Sequence, residues 1–124
     1  MTSPVFVAID TPDLGRAEAI ARACVGRAGG IKLGLEFFNR NGRDGALRLA
    51  EFGLPLFLDL KLHDIPNTVA KAVAALAPIK PAVMTVHAAG GAAMMAAAKA
   101  AAPVETKVIG ASAATALATV LGMS

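Results

Sequence analysis

At 124 residues, 56% hydrophobic and with a net charge of +3, the chain is one domain by the usual size prior and far too apolar to be disordered. Its basic residues, from Arg16 through Lys32 to Arg48, are scattered with no interleaved aromatics, which argues against nucleic-acid binding. The single cysteine, Cys24, excludes an internal disulfide, and the stretch up to Asp10 lacks the basic and apolar regions of a signal peptide, so the expected compartment is the cytoplasm.

Val5 to Ile9 reads as a short buried strand ending at Asp10, after which Thr11-Pro12 supplies an N-cap and a first-turn proline for a helix. In that helix Ala17, Ile20, Ala21 and Cys24 recur at i, i+3, i+4 and i+7, and Gly29-Gly30 is expected to stop it. Ile31 to Gly34 starts a second strand whose lone charge, Lys32, needs a partner if buried. Residues 35–53 hold Phe37-Phe38, a polar break from Asn39 to Asp44, and a helix through Leu47, Leu49, Ala50 and Phe52.

The third strand lies in Pro55-Leu-Phe-Leu-Asp-Leu-Lys-Leu-His-Asp-Ile-Pro-Asn-Thr68. Its near-continuous apolar run suits a parallel strand covered on both faces, yet Asp59 and Lys61 interrupt its C-terminal end. Side-chain alternation sends Asp59 and Lys61 to one side with Phe57 below them, and Leu56, Leu58 and Leu60 to the other. Asp64 follows in a turn, close enough in sequence for an Asp-Lys-Asp array within one chain or across a subunit boundary. An ammonium about 4 Å from a carboxylate gains on the order of 4 kcal/mol at an intermediate effective dielectric, which makes it an acid held in place. Such an acid suits a reaction that leaves a carbanion to be protonated, and a fixed carboxylate beside it would repel a departing carboxylate; decarboxylation fits both. A structural ion-pair network at a strand end fits the spacing as well.

Beyond this, Pro66 is placed at a helix N-terminus, with Ile65, Val69, Val73 and Leu76 on one stripe and Thr68 off it. Pro78 and Pro81 end that helix, Ala82 to Val86 make a fourth strand, His87 to Gly91 turn into a helix over 92–102, and Lys107 to Ala111 begin a fifth strand. Residues 112–124 form an atypical Ala/Thr-rich tail, whose composition argues against a membrane span. His63 and His87 lack carboxylates in ligand spacing, so no metal site is expected, and Gly90-Gly91 reads as a turn rather than a phosphate site.

The run Asp59-Leu-Lys61-Leu-His-Asp64-Ile65-Pro66-Asn67-Thr68 resembles the signature of the orotidine 5'-monophosphate decarboxylases, and Val7-Ala-Ile-Asp10 and Ile31-Lys32-Leu-Gly34 fall in that family's order. The resemblance runs from about residue 5 to about residue 110, the N-terminal half of the family. It implies an α/β chain of the (β/α)8 TIM-barrel type, here one partial-barrel domain over 1–124 with roughly the first four to five βα units, since a complete barrel needs about 200 residues or more. A doubly wound open sheet is the alternative, because it too gathers functional residues at strand C-termini.

The resemblance further implies a carboxy-lyase that converts orotidine 5'-monophosphate to UMP and CO2 without metal or organic cofactor. Lys61 would protonate the carbanion at pyrimidine C6 and Asp59 would sit against the departing carboxylate. Asp10 and Lys32 would contact the ribose, and Asp64 and Thr68 would reach the partner's site in a homodimer. Ile65 joins the substrate-binding set, and Ser124 is the counterpart of a pyrimidine-contacting hydroxyl. The family's phosphate loops follow the seventh and eighth strands, so this chain alone is expected not to turn over substrate and to leave its charges solvated. Two other readings stay open: a magnesium-dependent sugar-phosphate decarboxylase or synthase of the same superfamily, and a non-catalytic fragment acting in assembly.

Overall fold

The structure, a computed structural model, describes residues 5–111. Five strands alternate with four α-helices: β1 (Phe6–Ile9), α1 (Leu14–Cys24), β2 (Gly30–Gly34), α2 (Leu35–Ala50), β3 (Leu56–Leu62), α3 (Pro66–Leu76), β4 (Val83–His87), α4 (Ala92–Ala101) and β5 (Lys107–Ala111). The strands form one parallel sheet in the order β1-β2-β3-β4-β5. Strict sequential order is the winding of a barrel. A doubly wound sheet reverses direction at a switch point, and among the described residues no reversal occurs.

The two sheet faces explain why the strands are so apolar. Outward-facing Ile31, Leu33, Leu56, Leu58, Leu60, Met84 and Val86 are buried against Ala17 and Ala21 of α1, Phe37 and Leu49 of α2, Val69 and Val73 of α3, and Met94 and Ala98 of α4. Inward-facing Phe57 and Val83 form a second, smaller layer with Phe6, Ala82 and Ile109, in which the Phe6 and Phe57 rings meet edge to face at 5.9 Å. The two layers together leave β3 buried on both sides along its apolar length, so a charge at its end has to be paired.

Several boundaries differ from the sequence reading. Helix α1 starts at Leu14, because Asp13, not Thr11, is its N-cap: the Asp13 carboxylate accepts the Arg16 N–H at 2.9 Å, while the Thr11 hydroxyl accepts the Asp13 N–H. The helix ends at Cys24, and the chain turns through Gly26 at φ +77° well before Gly29-Gly30. The polar break in residues 39–44 is a kink inside α2 at Gly42, φ +65°, and there the Asn41 amide donates to the carbonyls of Phe37 and Pro12. Ile65 is the extended residue ahead of α3 and is 65% exposed, so the buried stripe is Val69, Val73 and Leu76 without it. Residues 112–124, including Ser124, lie outside the described residues, and so does the tail expected there.

Candidate active site

The C-terminal end of β3 does not continue as a regular strand. Leu58 pairs with Met84 and Leu62 with Val86, so Asp59, Leu60 and Lys61 together face Thr85 alone. The surplus is taken up at Lys61, whose φ of +47° is left-handed. For a residue with a Cβ that conformation costs about 1–2 kcal/mol, and it persists only where neighbouring contacts hold it.

Those contacts converge on one carboxylate. Lys61 Nζ donates to both oxygens of Asp59, at 3.0 and 3.1 Å, and Lys32 Nζ approaches from β2 at 3.5 Å. The Thr85 hydroxyl donates to Asp59 Oδ1 at 2.9 Å and accepts the Lys61 N–H at 3.0 Å. Asp59 is only 6% exposed, while the two lysines keep about a quarter of their side chains in water. Burial pushes the Asp59 carboxyl up, but the hydrogen bonds from Lys61 and Thr85 and the charges of Lys61 and Lys32 outweigh it and hold the group below the usual carboxylate value. The sequence reading expects the charged array to be more solvated in a half-barrel than in a complete one; the two lysines keep part of their side chains in water, while the carboxylate between them is buried, enclosed by β2, β3 and β4.

Among the described residues, the other sequence-predicted ones do not join this cluster. Asp10 is exposed directly after β1. Asp64 is exposed and accepts the Ile65 N–H at 2.7 Å, and among the described residues Lys61 pairs with Asp59 rather than with Asp64. The Asp-Lys-Asp array is therefore not closed within this chain; its place is taken by Lys32-Asp59-Lys61, with Asp59 as the hub. Thr68 is exposed in the first turn of α3. His63, Asp64, Ile65, Pro66 and Gly90 line an open hollow of about 580 Å³ beside the array. The His63 and His87 rings stack at 5.0 Å, with His87 Nδ1 accepting the Ala89 N–H.

Sequence reasoning missed Thr85. Its signal was available: Val83, Thr85 and His87 alternate onto the face that carries Phe57 and Asp59, which makes Thr85 a polar residue pointing at the charges.

Comparison with known proteins follows the same residues. Residues 3–118 match the family described as "Orotidine 5'-phosphate decarboxylase / HUMPS family". The orotidine 5'-phosphate decarboxylase of Sphingopyxis alaskensis is 60% identical over 109 residues, covering 88% of this chain and 49% of the relative. That of Novosphingobium aromaticivorans is 53% identical over 109 residues, with 88% and 49% covered. The crystal structure of the Pyrococcus horikoshii orotidine 5'-phosphate decarboxylase superposes with a TM-score of 0.76 at 27% identity, over 84% of this chain and 50% of that one. The chain spans about half the length of the curated relatives it matches.

Proposed function

Since this chain belongs to the orotidine 5'-phosphate decarboxylase / HUMPS family, we propose that it carries the charged half of an active site that decarboxylates orotidine 5'-monophosphate to UMP and CO2 in pyrimidine biosynthesis. The observation that supports this most is the Lys61 ammonium held on both oxygens of a buried, ionised Asp59 at the C-terminal end of a barrel strand. With the C6 carboxylate of the substrate set against Asp59, two like charges share a site of low solvent access, and that repulsion is relieved only as CO2 leaves. The C6–carboxylate bond breaks with its electron pair left on C6, Lys61 delivers a proton to that carbon, and water reprotonates the lysine.

The other residues divide by position. Asp10, directly after β1, and Lys32, within β2, contact the ribose hydroxyls. Asp64, Ile65 and Thr68 are exposed, which suits contacts to the substrate in a partner's site within a homodimer. Ser124 contacts the pyrimidine, and the enzyme is cytoplasmic. No metal ion is required, and the decarboxylase names of the relatives favour this reading over a magnesium-dependent sugar-phosphate enzyme.

The test is an assay of OMP absorbance loss with the 124-residue chain alone and with the chain joined to the C-terminal half of a relative, each with and without EDTA. The joined protein should turn over OMP in EDTA, and the chain alone should not, because remote phosphate contacts drive the chemistry at C6. Full-length-like activity from the chain alone, or loss of the joined activity in EDTA, would overturn the reading.

A further inference from the structure

We propose that Thr85 is a positioning residue for Lys61 and Asp59: its hydroxyl holds the end of β3 in the contracted form that lays the lysine ammonium across the carboxylate. This deepens the reading above and rests on it only for the statement that Lys61 is the proton donor.

The argument is one of hydrogen-bond capacity. A threonine hydroxyl has one proton to give and two lone pairs to accept with. Thr85 is fully buried, gives its proton to Asp59 Oδ1 and accepts the backbone N–H of Lys61. The N–H it accepts belongs to the residue with left-handed φ, and it belongs to the three-residue run that faces Thr85 across the sheet. In a regular parallel ladder that N–H would find a carbonyl or turn away from β4. Here a side chain replaces the missing ladder bond, and the same oxygen orients the carboxylate that the lysine must meet. The groups facing Asp59 are thus Lys32 from β2, Lys61 from β3 and Thr85 from β4. A hydroxyl that merely filled a buried position would affect global stability without acting selectively on these two neighbours.

Valine matches threonine in shape but can make neither bond, and serine can make both. The experiment is NMR on the 124-residue chain and its Thr85→Val and Thr85→Ser variants, following the ¹³C titration of the Asp59 carboxyl and hydrogen exchange at the Lys61 amide. In Thr85→Val the Asp59 midpoint should rise, since the ionised form loses a donor. The Lys61 amide should exchange at least about tenfold faster while Met84 and Val86 keep their protection. Thr85→Ser should restore both. A folded Thr85→Val chain with both readouts unchanged, or a Thr85→Ser chain that behaves as valine does, would overturn the proposal. If Thr85→Val does not fold, the unmodified chain decides: the Thr85 hydroxyl proton should exchange slowly and shift with the Asp59 titration. A hydroxyl that exchanges freely and ignores that titration would sink the idea. None of these readouts needs substrate, so they can fail or succeed independently of the decarboxylase assay.

Discussion

Lys61 Nζ lies 3.0 and 3.1 Å from the two carboxylate oxygens of Asp59, its neighbour two residues earlier on β3. A bidentate contact over so short a loop of chain fixes the ammonium in position before any substrate arrives, which is what a proton donor to a short-lived carbanion requires.

Replacing Lys61 by alanine, in a barrel completed by the C-terminal half of a relative, should therefore cut turnover at least about a hundredfold, the lower bound for a positioned general acid. Nucleotide monophosphate binding should stay measurable if, as the family resemblance implies, the phosphate is held by the C-terminal half. Turnover retained within about tenfold of the parent would remove Lys61 from the chemistry.

Asp59 links the site to stability. Its carboxyl is held below its usual value in the folded chain, so ionised Asp59 stabilises the fold above the unfolded value near pH 4, and that contribution is lost as pH falls through the lowered folded value. In Asp59→Asn two lysines lose their shared counter-charge. The cost should fall short of the about 3–5 kcal/mol of a wholly buried pair, since Lys32 and Lys61 keep partial solvent contact. Urea unfolding from pH 7 down to pH 2 should show the gap between parent and Asp59→Asn widest above pH 5 and closing as the medium is acidified. A gap that stays constant, or widens toward acid, would contradict the assigned ionisation.

Much of this was legible in the sequence because it follows from alternation and periodicity. The strand ends, the inward Phe57 and Asp59, and the outward Leu56, Leu58 and Leu60 all obey the period-two rule that a strand covered on both faces imposes. That Lys32 needs a partner follows from placing a lone charge in a buried strand, and Asp59 is the partner the structure supplies. The contraction at Lys61 was not, since lysine carries no preference for left-handed φ and only the register with β4 reveals it. Asp64 was drawn toward Lys61 by closeness in sequence, yet its carboxylate is occupied by the Ile65 N–H just before α3 begins. Helical spacing places Ile65 on the stripe with Val69, Val73 and Leu76, but it precedes the first helical residue and so does not share the helix's face.

Two glycines of β2 should respond to alanine by different amounts. A Cβ on Gly30 would come within 2.5 Å of both the Phe6 ring and the Pro55 carbonyl oxygen, and the latter is backbone that also accepts the Ile31 N–H. A Cβ on Gly34 would meet nothing within 4 Å. Gly30→Ala should lose about 1–3 kcal/mol through overpacking of the β1-β2-β3 junction, whereas Gly34→Ala should lose less than about 1 kcal/mol, the scale of a helix N-cap preference. Equal chemical-denaturation midpoints for the two variants would refute the close approach at Gly30.

The 124-residue chain, purified alone, should self-associate. Among the described residues β1 and β5 end the sheet, so each presents one edge with no neighbouring strand. Neither edge is blunted in the usual ways: Phe6–Ile9 carries no charge or proline, and Lys107–Ala111 carries one lysine at its first position and no proline. Behind both edges lies the inner apolar layer, in which Phe6 and Ile109 are only partly buried. Strand pairing with a second copy would satisfy the open backbone groups and cover that layer in one step, so hydrogen bonding and hydrophobic burial favour the same outcome. Sedimentation velocity over a micromolar concentration series should show species larger than a monomer that grow with concentration, and joining the C-terminal half of a relative should suppress association through these edges. A compact monomer across the whole series would mean that the edges are covered in solution, and the prediction would fail.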